Sequence, residues 1–150
     1  MKILATFDAR DYEGTTGIYE KYSIRAIIVR DGRLAMQCSR EGEYKIPGGG
    51  QEPGENYEQT LIREVKEETG LDASQAEGGY LFTYKRENPG EGDNYFVDVY
   101  RFVMDVEDKD LKLQTEETDG YMFATLDQIK AFAAEGKFLH YDSIKKAFEF

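Results

Sequence analysis

The residues able to do chemistry are concentrated between positions 49 and 71, where the chain reads GGQEPGENYEQTLIREVKEETGL. Within that stretch Glu64, Glu67 and Glu68 are spaced i, i+3, i+4. Successive residues of a helix turn by about 100°, so the three carboxylates share one helical face. Like charges at that spacing repel by roughly a few tenths of a kcal/mol per pair. A hard divalent cation such as Mg²⁺ relieves the repulsion, because it prefers carboxylate oxygens and keeps water positions open for phosphate. The chemistry indicated is metal-assisted cutting of a phosphate anhydride. A solvated acidic face would account for an isolated E-x-x-E-E, but not for Arg63, Pro53-Gly54 and the flanking glycines at their set positions.

A helix must present these carboxylates, and its boundaries are written in the sequence. Asn56 is a good N-cap, with Gln59 three residues on to complete a capping box. Leu61, Ile62, Val65 and Thr69 recur at three- and four-residue spacings and supply the buried side. Gly70 stands where a left-handed residue ends the helix, and Pro53-Gly54 marks the turn leading in.

The whole segment resembles the Nudix box, G-x5-E-x7-R-E-U-x-E-E-x-G-U with U aliphatic. Every specified position matches: Gly49, Glu55, Arg63, Glu64, Val65, Glu67, Glu68, Gly70 and Leu71. The lead-in Tyr44-Lys45-Ile46-Pro47-Gly48-Gly49 is also similar to the family. The resemblance implies the Nudix hydrolase fold, an α/β/α sandwich with a mixed β-sheet, over nearly the whole chain. It further implies that Glu64, Glu67 and Glu68 form a metal-ligand core for Mg²⁺ or Mn²⁺, joined by the Gly48 carbonyl. Arg63 is expected to orient a box glutamate through a charge-assisted hydrogen bond. Glu55 is either an outer-shell ligand or a brace between loop and helix, and Gly49 and Gly70 are backbone requirements. The general base is Glu64 or a distal residue, with Glu117 the distal candidate in the acidic stretch Glu116-Glu117-Thr118-Asp119. Phe123 follows where a tryptophan is common in the family.

For the rest of the substrate, Arg25 lies on a strand where family members often place a phosphate- or base-contacting residue. Tyr80, Phe82 and Tyr84 alternate along a strand as a stacking platform or a core row, with Tyr84 taken as substrate-binding. His140, the one histidine, reads as a surface or capping residue.

Composition narrows the class. The chain has 150 residues, enough for one domain with an ordinary core, and we expect residues 1–150 to form a single domain. With 40% apolar residues and 20 aromatics it is not disordered. No apolar run is long enough to span a bilayer, and Met1-Lys2-Ile3-Leu4, without an apolar core or cleavage site, leads us to expect no signal peptide. Cys38 is the single cysteine, read as strand filler, and a reducing cytoplasm is the expected compartment. A net charge of −11 with no basic stripe argues against nucleic-acid and anionic-membrane partners.

Pattern places strands at 22–30, 33–38, 79–86, 95–105 and 120–125, with Asp31-Gly32 as a hairpin turn and 87–94 as a loop. Leu126, Ile129, Phe132 and Ala133 mark a helix, residues 141–149 a short terminal helix, and Ile3 to Phe7 a further strand. The reading that follows is a metal-dependent hydrolase of a nucleoside diphosphate linked to X, with a nucleoside triphosphate first and ADP-ribose or a nucleotide sugar second. From a different class, a non-catalytic nucleotide-sensing domain is the alternative. The partner is a small-molecule nucleotide, and the chain a monomer or homodimer.

Overall fold

Strand β1 (Tyr22–Arg30) is apolar on both faces because it serves two cores. Its even-numbered residues Ile24, Ala26 and Ile28 pack with Leu61 and Val65, while Ile27 and Val29 pack with Ile129, Phe138 and Ile144. The computed structural model that shows this describes residues 22–87, 94–112 and 118–148. The expected strand at Ile3 to Phe7, most of the 87–94 loop, and Glu116 and Glu117 lie outside the described residues.

After β1 the chain turns at Asp31-Gly32 into β2 (Arg33–Ser39), then β3 (Tyr44–Lys45) and helix α1 (Tyr57–Thr69). Strands β4 (Glu77–Arg86), β5 (Tyr95–Val103) and β6 (Thr118–Ala124) follow, then helices α2 (Leu126–Ala134) and α3 (Tyr141–Ile144). The sheet runs β3-β2-β1-β5-β4, with β6 on β2. Strands β1 and β5 are parallel, Tyr22 facing Phe96 and Val29 facing Val103, whereas the other pairings among the described residues are antiparallel. The sheet is therefore mixed. Helix α1 covers one face, α2 and α3 the other, which gives the expected α/β/α sandwich.

Helix α1 starts and stops where its caps dictate. The Asn56 side chain accepts from the Gln59 amide at 2.8 Å, and Gln59 returns a bond to the Asn56 amide. At the other end Gly70 has φ 75°, a left-handed cap, and its N–H bonds the Lys66 carbonyl. The buried residues of α1 are Thr60, Leu61, Val65 and Thr69, with Ile62 only half-buried.

Two departures from the sequence pattern have local causes. A β-bulge between Tyr80 and Phe82 shifts the register against β5. The aromatic row is thereby split: Tyr80 is exposed and meets Tyr100 edge-on, while Phe82 and Tyr84 pack toward the α2 side. The terminal helix is one α turn, Tyr141–Ile144, followed by a tighter turn at Lys145–Phe148 that buries Ala147 and Phe148. Arg30 lies 3.7 Å over the Phe123 ring. No helix among the described residues is long and apolar enough to cross a membrane.

Candidate active site

The loop between β3 and α1 is built by borrowing the edge of β1. β1 and β2 pair only at Val29 and Arg30, so the inner part of that β1 edge is left for the loop. The Ile24 amide bonds the Gly49 carbonyl at 2.9 Å and the Ala26 amide bonds that of Pro47 at 2.8 Å. Gly48 is pinned between them at φ 139°. A Cβ there would lie 2.8 Å from the Arg25 Cα and closer still to the Ile24 carbonyl, so only glycine fits.

Gly49 needs to be glycine for another reason. Its φ is not in the left-handed region. A Cβ on it would instead stand 2.5 Å from Cδ of Glu64. The expectation of a purely backbone role is thus corrected: the missing side chain is the space the Glu64 carboxylate occupies.

Arg63 organises the carboxylates. Its Nε donates to Oε1 of Glu55 at 2.7 Å and its Nη2 to Oε2 at 3.0 Å. Its Nη1 reaches Glu64 at 2.9 Å and Glu67 at 3.1 Å, and Nη2 also bonds the Gly50 carbonyl. Glu55 accepts further bonds from Thr60 and the Glu52 amide, which makes it the brace between loop and helix. These donors, led by Arg63, hold its carboxyl down at about 2. The same partners, Glu55 first, push the Arg63 pKa upward.

Glu64 and Glu68 behave oppositely. Burial raises the pKa of each above the ordinary carboxylate value, against the pull of Arg63 on Glu64 and of the Gly48 N–H on Glu68. That N–H donates to Oε2 of Glu68 at 2.7 Å. Glu67 differs: its side chain is 55% exposed, against 15% for Glu64. The three carboxylates share a helix face but not an environment.

Beside Glu68 and Gly48 opens a cavity of about 360 Å³. Arg25 and Tyr84 both line it. Arg25 Nη1 donates to the Gly48 carbonyl at 2.7 Å, so the oxygen expected to face a metal already carries one donor. Gln37 lines the same cavity and is 5% exposed. Its amide lies beside Glu68 and Tyr121 and pulls the pKa of both down against burial, although Nε2 makes no bond of regular geometry among the described residues. Tyr121, opposite Gln37 on β6, donates its hydroxyl to the Glu68 main-chain carbonyl. Its pKa is driven up by burial and by the Glu68 charge.

His140 takes the N-cap position of α3, as the capping reading expected, though its side chain makes no cap bond. It is not a surface residue: it is half-buried and lines the cavity. Arg86 Nη1 lies 3.3 Å from its Nε2. Arginine can only donate, so Nε2 is the acceptor and the imidazole is neutral with its proton on Nδ1. Burial, then Arg25, Arg86 and Lys45, hold its pKa down at about 4.

The structure thus brings Arg25, Gly48, Arg63, Glu64, Glu67, Glu68 and Tyr84 to one end of the sheet, while Glu117 lies outside the described residues. Gln37, Lys45, Arg86, Tyr121 and His140 join them without having been singled out for the site. A lone glutamine in the otherwise apolar run Leu34-Ala35-Met36 of β2 is the one sequence signal that marks any of these.

Whether the group suits a divalent cation is a matter of its donors. As the side chains stand, no three acidic, imidazole or thiol groups among the described residues converge on one point. Glu67 is exposed and turned to Arg63. Still, Glu64 and Glu68 are desolvated carboxylates that repel each other, with Glu67 adding to the repulsion on Glu64. Such an oxygen set fits a hard cation, which offsets that repulsion.

Comparison with known proteins identifies the family and the fold. A family model described as NUDIX domain matches residues 21–145. A CTP pyrophosphohydrolase of Escherichia coli (strain K12) is 36% identical over 72 residues, 45% of this chain and 52% of that protein. An ADP-ribose pyrophosphatase of Methanocaldococcus jannaschii is 31% identical over 74 residues, covering 47% of this chain and 43% of its own length. The chain therefore spans about half the length of these relatives. Among solved structures, the E. coli dihydroneopterin triphosphate pyrophosphohydrolase superposes with a TM-score of 0.65 at 21% identity, over 89% of this chain and 96% of that one. This last likeness is one of fold.

Proposed function

The chain belongs to the Nudix family, and from that premise we propose that it is a divalent-metal-dependent pyrophosphohydrolase acting on a nucleoside diphosphate linked to X. The preferred substrate is a nucleoside triphosphate, cut to the monophosphate and pyrophosphate. The second reading is ADP-ribose or a nucleotide sugar, and it draws support from the ADP-ribose pyrophosphatase relative. The observation that carries the proposal is the pair of desolvated carboxylates, Glu64 and Glu68, locked beside a cavity lined with cations.

In this reading Glu64, Glu67, Glu68 and the Gly48 carbonyl hold Mg²⁺ or Mn²⁺. When bound, the ion neutralises charge on the diphosphate and eases ionisation of a nearby water. Arg63 keeps Glu64 in place and Glu55 keeps Arg63 in place, so the carboxylates are oriented before substrate arrives. Glu64 or Glu117 takes the proton from the attacking water. Arg25 and Tyr84 contact the substrate in the cavity, and Arg25 also fixes the Gly48 carbonyl. A reducing cytoplasmic setting fits the single free thiol of Cys38.

The test is product analysis by chromatography with Mg²⁺ and a mixed panel: canonical and oxidised nucleoside triphosphates, ADP-ribose, nucleotide sugars and dinucleoside polyphosphates. Release of a monophosphate from one class, abolished by chelator, is the expected result. Nucleotide binding without turnover anywhere in the panel would overturn the enzyme in favour of a sensor.

A further inference from the structure

The cavity beside Glu68 is cationic in a chain whose net charge is −11. Arg25, Lys45 and Arg86 line it, and none of them has an ion-pair partner within 4.0 Å among the described residues. Arg25 spends its bonds on the carbonyls of Gly48 and Ile46. Arg86 spends its own on the Tyr95 hydroxyl and on His140. Elsewhere Arg30, Arg63, Lys85, Lys109, Lys137 and Lys145 are each paired with a carboxylate. The acidic groups lining the cavity are Glu43, exposed, and Glu68, which faces the box.

The histidine completes the pattern. Its neutral tautomer, fixed by Arg86, leaves Nδ1–H as a donor, while the buried Gln37 amide on the same wall is turned to Glu68. A cavity with three cations and a neutral imidazole donor, set against the two carboxylates of Glu43 and Glu68, is net positive and favours an acceptor-rich anion. It does not fit an amino-bearing base, which would bring donors of its own. Its volume of about 360 Å³ falls within the roughly 300–1,000 Å³ of small-molecule sites.

We propose that Lys45, Arg86 and His140, with Arg25, form a phosphate subsite for a phosphoryl group of the substrate other than the two flanking the cleaved bond. Such a group is the third phosphate of a nucleoside triphosphate or a phosphomonoester on X or on the nucleoside. This subsite rests on the pyrophosphohydrolase reading and specifies its substrate class: the substrate carries a phosphoryl group beyond the cleaved diphosphate, and a neutral sugar is a poor occupant of the cavity. Arginine and lysine supply charge-assisted bonds to the oxygens, and Arg86 positions the His140 ring so that its N–H points as a donor.

The test uses substrates matched except for one charged group: a nucleoside triphosphate against its diphosphate, ADP-ribose 2′-phosphate against ADP-ribose, and UDP-glucuronate against UDP-glucose. Affinity is read by calorimetry on the full chain with chelator present, so that metal and turnover play no part. The phosphate-bearing member of the first or second pair is expected to bind at least about tenfold tighter, the equivalent of one charge-assisted hydrogen bond. The ratio should shrink toward one in Arg86→Gln and in Lys45→Met, and be retained in Arg86→Lys. The first pair identifies a terminal phosphate as the source, the second a phosphomonoester. Equal affinities in both phosphate pairs, preference in the carboxylate pair alone, or ratios unmoved by the two neutral variants would overturn the subsite. Turnover is scored separately with Mg²⁺: loss of all hydrolysis with the ratio intact removes the enzyme and keeps the subsite.

Discussion

Arg63 and Glu55 form a two-bonded fork across the junction of loop and helix, Nε to Oε1 at 2.7 Å and Nη2 to Oε2 at 3.0 Å. Both side chains are about four-fifths covered. The fork matters because the same guanidinium also holds Glu64 and Glu67. Arg63→Lys keeps the charge and loses the parallel geometry. It should lower stability by about 1–3 kcal/mol in urea unfolding and reduce turnover as well. An unchanged urea midpoint would show that the fork does not brace the loop.

Glu68→Gln should separate catalysis from stability. Burial disfavours the ionised form of Glu68 in the folded protein, and glutamine keeps an acceptor for the Gly48 N–H. Turnover should fall on the order of a hundredfold or more, while the melting temperature holds or rises, by about 0.5–2 kcal/mol of stability. Lys66→Ala, on an exposed position of the same helix, should change neither. A variant that loses both activity and stability would make Glu68 a structural residue.

The two neighbouring glycines should fail in different ways. Gly48→Ala places a methyl group into the backbone of Ile24 and Arg25 and should leave little folded protein by circular dichroism. Gly49→Ala meets first the movable end of Glu64. It should fold, melt close to the parent, and lose turnover. Normal kinetics in Gly49→Ala would mean that the placement of Glu64 is unimportant.

Two acid windows should be separable in unfolding measured against pH. His140 is neutral down to about 4 when folded, against the ordinary imidazole value of 6.5. The unfolded chain therefore binds the extra proton between those limits, and stability falls as pH drops through them. Glu55 titrates at about 2 when folded against 4.5 unfolded, so its contribution is present above 4.5 and is lost toward 2. His140→Asn should flatten the upper window only, and Glu55→Gln the lower only. A slope between 4 and 6.5 unaffected by His140→Asn would place the titrating group elsewhere.

Local rules made α1 legible: Asn56, Gln59 and Gly70 fix its ends within the chain itself, and the box carboxylates come with it. Strands β1 and β2 and their turn were equally readable, because burial on both faces leaves a continuous apolar run. The aromatic row on β4 was not, since a bulge is set by pairing with β5 and the residues around Leu81 do not announce it. The cavity was the least legible part. Lys45, Arg86 and His140 come from β3, β4 and the turn before α3, and they meet only because the sheet order brings those elements together. Each alone has the ordinary look of a surface polar residue. The burial difference between Glu67 and its neighbours was hidden too, because helical spacing gives a shared face but not its depth.

Gly48 donates its N–H to Glu68 and accepts at its carbonyl from Arg25, with no room for a side chain. These two bonds leave from the peptide planes on either side of a single Cα. The carboxylate anchor and the cation anchor are therefore fixed by the same residue, held in place by the main-chain bonds of Ile24 to Gly49 and of Ala26 to Pro47. Changing selectivity at Arg25 would, by the same token, detune the acid end.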